Sequence, residues 1–266
     1  MRTPEQAFDL RAAMADELRA ALDEFEASFG EPKGVHRCRV HVKRARALAR
    51  VGKTSAPGLS TVFNDSARTV MRQLAVARDI AALAETARTL AQKRGKKQAA
   101  ALARVAEQLD EERLAMAGLN MEATRAGLKD LLALAQVWPE ASPRQIRRGA
   151  RRIAHRARRA CRRGHGAEQP DRRHEWRKRE KDRYFAAVLL AEAWPLKRRR
   201  KLSEKLGVAL GDERDALLLL ERVIGEPSIA GEGKAGEHAV KALMRRRAKL
   251  GARADKLGAK LHKRES

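Results

Sequence analysis

The stretch Ser142–Arg163, SPRQIRRGARRIAHRARRACRR, decides the fold class of this chain. Ile146, Gly149, Ala150, Ile153, Ala154, Ala157, Ala160 and Cys161 recur at three- and four-residue spacing, which gathers them on one side of an α-helix. Over 146–163, nine arginines and His155 occupy the other side. The start of the helix is also written out: Ser142 can cap it, Pro143 suits the first helical position and Gln145 can reach back to the cap. Gly and Ala on the apolar side predict close helix packing. The basic side is under tension, because like charges four residues apart on a helix cost a few tenths of a kcal/mol per pair. An anion would relieve that, and Arg is suited to bidentate phosphate contacts. Arg148, Arg151, Arg152, His155 and Arg159 are therefore candidate anion contacts.

Working outward, the apolar period stays close to 3.6 along nearly the whole chain, and Pro and Gly fall at the breaks. An all-α fold is expected. Thr3-Pro4-Glu5-Gln6 repeats the cap chemistry and predicts the first helix start. Breaks are predicted near 30–34, 52–58, 95, 118, 138–139, 164–170, 194–195 and 225–236. The 266 residues can bury a core, and 43% are hydrophobic although only 3% are aromatic, so a packed helical protein is expected rather than a disordered one. Two cysteines, Cys38 and Cys161, are too few for a disulfide framework or a zinc finger and read as reduced core residues. No apolar run approaches the roughly 20 residues of a membrane span, and the N-terminus lacks a signal-peptide core. A cytoplasmic protein is expected.

Lys and Arg number 59 against 34 Asp and Glu, a formal charge of +25, so polyanions are the expected partners. Residues 1–140 hold 23 basic and 18 acidic side chains, residues 141–266 hold 36 and 16. Landmarks recur between the halves at nearly constant offset: Thr3 with Ser142, His36 with His174, and Arg78-Asp79 with Arg214-Asp215. This predicts a duplication, with repeats at 1–138 and 142–266. His36, Arg39, Lys43 and Arg46 fall within roughly 80° of a helical wheel and form one basic stripe. His174, Arg177, Lys178 and Lys181 form its counterpart. The string His36-x-Cys38-x-x-His41 cannot converge on a metal while helical, so no metal is expected. Arg78-Asp79 and Arg214-Asp215 precede apolar runs, where the Asp can cap a helix or orient a basic neighbour, a structural role.

These residues resemble a known family. VHRCRVHVKRAR (35–46) resembles the first signature of CHAD domains, the conserved histidine α-helical domains, and HEWRKREKDRY (174–184) resembles the second. GARRIAHRARRACRRG, LAVARDIAAL and LGVALGDERDALLLL are similar to the family's intervening helices. The resemblance implies a single domain over 1–266 built as two four-helix bundles related by a pseudo-two-fold axis, with a basic central channel. It also implies non-catalytic binding of inorganic polyphosphate and association with polyphosphate granules. Carried onto matching positions, it makes His36, Arg39, Lys43, Arg44 and Arg46 ligand contacts, together with His174, Arg177, Lys178 and Lys181. Glu180 and Arg183 depart from the pattern, standing where apolar residues are usual, and so do Tyr184 and Phe185, which follow where a basic or aromatic residue and then Tyr are common.

The residues alone agree with a phosphate-directed function. A phosphate chain offers charge and no bases, so Arg, Lys and helix N-termini suffice to hold it. Non-specific binding to the phosphate backbone of DNA or RNA is the alternative; the scarcity of aromatics argues against a single-strand stacking platform. Neither paired carboxylates, an activated nucleophile nor a Gly-rich phosphate loop is evident, so no enzyme and no cofactor is expected.

Overall fold

The computed structural model describes residues 8–28, 32–115 and 120–263, apart from the side chains at 28, 32 and 76–78. Among these residues it is helical, with no strand. In chain order the helices are α1 (Leu10–Ser28), α2 (Pro32–Val51), α3 (Pro57–Gln73), α4 (Val76–Ala91), α5 (Lys96–Ala115), α6 (Met121–Gln136), α7 (Pro143–Gly164), α8 (Pro170–Leu189), α9 (Arg200–Gly225) and α10 (Ala235–His262).

The helix punctuation follows local chemistry at most boundaries. The Thr3–Gln6 start lies outside the described residues; α1 begins after Asp9, whose Oδ1 accepts the Ala12 N–H at 2.9 Å. On α7 the reciprocal cap forms: the Ser142 N–H donates to Gln145 Oε1 (2.8 Å) and the Gln145 N–H to Ser142 Oγ (3.3 Å). One break has neither Gly nor Pro. α3 stops and α4 starts around Leu74 and Ala75, with the Ala75 N–H closing a tight turn onto Arg72 O at 3.0 Å. Leu74 is buried in the core packed by α1, α2, α3 and α6. No breaker residue stands at this turn; Leu74 ends α3 with its N–H on Val70 O and its side chain in the core.

The chain divides into two compact units, each built from three segments and drawing on both halves of the sequence. The first comprises Met1–Ala75, Leu119–Arg163 and Lys178–Ser203; the second comprises Val76–Gly118, Gly164–Arg177 and Glu204–Ser266. In the first, Met14, Leu18, Phe25, Val42, Leu48, Phe63, Leu128, Leu131 and Trp138 are all fully buried. Trp138 meets Phe63 edge-on, with ring centroids 6.0 Å apart at 85°. Close packing of α7 is confirmed at Gly149, where an added Cβ would stand 2.2 Å from Val51 O at the end of α2. In the second unit α4, α5, α9 and α10 bury Ala87, Leu102, Val105, Leu219, Val223, Ala239 and Leu243.

The departures at Glu180 and Arg183 become one buried device. Glu180 and Arg183 are 2% and 5% exposed. The Arg183 Nε donates to Glu180 Oε2 at 2.9 Å and its Nη2 to Ser203 Oγ at 2.5 Å. A buried ion pair of this kind is often no more stabilising than apolar residues of similar size. The Glu180→Leu, Arg183→Leu double variant is therefore expected to stay within about 1 kcal/mol of wild type. Either single replacement leaves a buried charge and is expected to be worse than the double. Urea melts of the three variants test this, and a double variant less stable than both singles would refute it.

Candidate functional site

α2 sorts its cations by partner. On the side facing α1, the Arg37 Nε donates to Glu24 Oε2 (2.5 Å), His41 Nδ1 lies 2.6 Å from Glu17 Oε2, and Arg44 Nη1 lies 3.7 Å from Glu17 Oε1. Arg44, expected among the anion contacts, is thus drawn to the protein's own carboxylate. Cys38 points into the core, and burial pushes its thiol up to about 12. Cys38 and His41 therefore face different surroundings. Cys161 is buried as well. Both thiols are expected to resist iodoacetamide at pH 8 in the folded protein and to react in guanidinium; rapid alkylation of the native chain would contradict their placement.

The other side of α2 carries the stripe. His36 is exposed, Arg39 is buried, and Lys43 and Arg46 are half-buried. The Arg39 Nη1 donates to Met71 O (3.2 Å) in the last turn of α3, a C-terminal carbonyl that favours a cation. Arg46 is the tense member. Burial, and then the neighbouring charges of Arg50 and Arg68, press its guanidinium down to about 10, although Asp182 opposes this. Its Nε has no hydrogen-bond partner among the described residues. It is still cationic at neutral pH. One turn further on, the Arg50 Nη1 donates to Asp182 Oδ1 at 2.8 Å, with Arg179 3.3 Å from the second oxygen of the same carboxylate. Burial drives the Asp182 carboxyl above its ordinary range despite the pull of Arg50, Arg179 and Arg46, so this acid is itself held at a cost.

On α7 the expected apolar side is buried and Arg148, Arg151, His155 and Arg159 are exposed. Arg152 differs. Half-buried, its Nη2 donates to Arg50 O (2.7 Å), closing the C-terminal turn of α2, and its pKa is lowered by burial and by Arg156 and Arg148. Arg152 and Arg39 therefore spend donors on helix ends, which the sequence reading did not anticipate.

In the second unit His174 and Arg177 line a small recess with Pro170, Arg173, Leu210, Glu213, Arg214, Leu217 and Arg247. Arg214 lies in the recess itself. Glu213, in the same recess, is engaged by Arg173, whose Nε and Nη2 donate to its two oxygens at 2.9 and 2.6 Å. Lys178 and Lys181 fall on the portion of α8 assigned to the first unit, exposed and half-buried respectively. Asp79 stands within the first turn of α4, where an acid suits the helix dipole, and the Arg78 side chain lies outside the described residues. Of the two roles expected for Asp215, capping does not apply: it lies well inside α9, far from the start at Arg200. The helix runs unbroken through LGVALGDERDALLLL because the two glycines there, Gly207 and Gly211, sit in open space and cost only propensity.

Sequence reasoning missed Arg50, Asp182, Arg156, Arg173 and Arg247. Arg50 was available as the next turn of the stripe, four residues beyond Arg46. Arg247 sat within the Arg245–Arg247 run but without a signal for which of the three turns inward. Nothing local distinguishes Arg173 from Arg172. Among the described residues no cluster of His, Cys, Asp and Glu could hold a metal, and no helix is long and apolar enough to cross a membrane.

Helical among the described residues, with arginines in excess of its acids and two His-bearing basic segments on α2 and α8, the chain is a strongly basic helical protein. The chain belongs to the CHAD domain family: the family model matches residues 12–224. Its fold is similar to the crystal structure of the CHAD domain from the plant Ricinus communis, with a TM-score of 0.67 at 18% identity, over 100% of this chain and 97% of that one. No curated protein matches it.

Proposed function

We propose that this protein binds inorganic polyphosphate without catalysis, through His36, Lys43 and Arg46 of α2, the basic face of α7, and the cluster around His174 and Arg177. The observation that carries the reading is the recess where His174, Arg177, Arg214 and Arg247 converge while its carboxylate, Glu213, is committed to Arg173. Four side chains able to carry positive charge around one small recess make a local positive field that draws phosphates to its rim. Arg46, half-buried and crowded by Arg50 and Arg68, supports it from the first unit, since an anion there would remove an electrostatic penalty. Family membership supports the same ligand. The two four-helix bundles, the pseudo-two-fold axis, the basic channel and granule association belong to this proposal. DNA and RNA backbones are the competing polyanions.

The test is a competition of immobilised polyphosphate against DNA and RNA at fixed ionic strength. It compares wild type with a Lys43→Ala, Arg46→Ala, Arg177→Ala, Arg247→Ala variant; Arg39 is spared because it closes α3. Wild type is expected to favour polyphosphate, and the variant to lose at least tenfold in polyphosphate affinity, about 1.4 kcal/mol, while retaining its melting temperature. Loss of neither ligand, or equal loss of both, sinks the reading. Release of orthophosphate by purified protein would return catalysis to consideration.

A further inference from the structure

In the first unit, the end of α8 and the segment leading into α9 bound a cavity of about 350 Å³ lined by Tyr184, Ala187, Val188, Arg198 and Arg200. That size lies within the range of small-molecule sites. Ala187 is buried and Val188 and Tyr184 half-buried, so part of the lining is apolar and bears an aromatic ring. The Tyr184 ring lies 5.6 Å from Phe185, tilted at 55°. The remaining lining is two exposed guanidiniums. Arg198 pairs with Glu192 at 2.8 Å, but the Glu192 side chain is 86% exposed, a pairing that a stronger anion displaces.

The surroundings add to the positive field. Lys197 to Lys201 are five consecutive cations, and the first turn of α9 contains no acid. Ala191 and Arg199, at either end of this segment, adopt left-handed backbone conformations (φ 45° and 42°) that non-glycine residues seldom take. A helix end of this kind would be only a basic turn; the cavity beside it supplies shape and an apolar wall.

We propose that this cavity binds a nucleoside di- or triphosphate, with the base against Tyr184, Ala187 and Val188 and the phosphates on Arg198 and Arg200. A bare phosphate chain would use the guanidiniums and leave the apolar wall in water. An uncharged ring would do the reverse. Two guanidiniums, each a planar fork, match more than one phosphoryl group, and an aromatic base gains from the ring and the aliphatic floor. The inference does not depend on the polyphosphate reading.

Calorimetric titration with ATP, inorganic tripolyphosphate and adenosine at fixed ionic strength tests it. Tripolyphosphate carries at least as much negative charge as ATP, so a purely electrostatic site prefers it or treats the two alike. Wild type is expected to bind ATP at least fivefold more tightly than tripolyphosphate. Tyr184→Phe keeps that preference and Tyr184→Ala abolishes it. Arg198→Ala with Arg200→Ala, changes at exposed positions that leave the fold intact, lowers ATP affinity at least tenfold. Lys43→Ala with Arg46→Ala keeps the ATP preference, which separates this cavity from the polyphosphate site. Tripolyphosphate binding to wild type as tightly as ATP overturns the proposal. So does an ATP preference that survives both the Tyr184→Ala and the double arginine changes.

Discussion

Replacing Arg173 with alanine is expected to destabilise the second unit by about 3–5 kcal/mol, the usual cost of removing one partner from a buried ion pair. Its side chain is 8% exposed and every N–H is used. Nε and Nη2 hold the two oxygens of Glu213; Nη1 donates to Asp255 Oδ1 (2.5 Å) and Gly164 O (2.8 Å); Nη2 also reaches Gly251 O at 3.2 Å. The guanidinium lies 5.0 Å over the Trp176 ring. Burial works against its charge, yet the hydrogen bonds to Glu213 and Asp255 outweigh that and raise its pKa above the ordinary arginine value. With a raised folded-state value, this contribution is complete at every pH below the ordinary arginine range and is lost only above it. Without the arginine, Glu213 is left buried with its charge uncompensated, and the C-terminal end of α7 and the middle of α10 lose a common tie. Lysine cannot substitute, since three donors on a flexible stem do not reproduce five in a plane. Urea denaturation followed by circular dichroism measures the effect; a loss under about 1 kcal/mol, the range of a surface pair, would show that Arg173 is dispensable.

Gly149→Ala should also be severe, and its sign is informative. In an open helix position the change gains roughly 1 kcal/mol, because glycine is the poorer helix former. Here the new Cβ would stand 2.2 Å from Val51 O and 2.9 Å from Val51 C, and both are backbone atoms with no rotamer to turn. α7 must move away from the end of α2, at an expected net cost of about 3 kcal/mol, the upper part of the range for overpacked cores. The displacement also draws Arg152 off Arg50 O, and with it the alignment of α7 with the Arg46–Arg50 end of the stripe. Polyphosphate affinity is then expected to fall even in conditions where the variant is folded. Thermal melting and the competition assay report the two effects separately, and a variant as stable as wild type would show that α7 sits farther from α2 than the structure places it.

Much of the fold was legible because helix starts and stops are local chemistry. Ser142 and Gln145 need only each other, and the proline and glycine breaks act through their own backbones. The turn at Leu74 was not legible, since no breaker residue stands there. Asp215 misled for the complementary reason: an Asp before an apolar run looks like a cap, but α9 had already begun at Arg200. Among the candidate site residues, the wheel placed the stripe of α2 on one face. It could not show that Arg44 would lean to Glu17, nor that Arg39 and Arg152 would close neighbouring helices.

By itself, the sequence determined an all-helical chain, strongly basic, with two His-Arg-Lys frames and the family signatures, because periodicity, caps and net charge are properties of nearby residues. Only the tertiary structure decided which of the many arginines are committed. Arg173, Arg183 and Arg152 are taken up by buried carboxylates or a helix-end carbonyl and Arg39 gives one donor to Met71 O, whereas Arg46 stays crowded by Arg50 and Arg68 and Arg247 turns into the recess beside His174. A guanidinium has the same charge in every helix, and whether an acid or a carbonyl lies within 3 Å of it depends on segments brought together from distant parts of the chain.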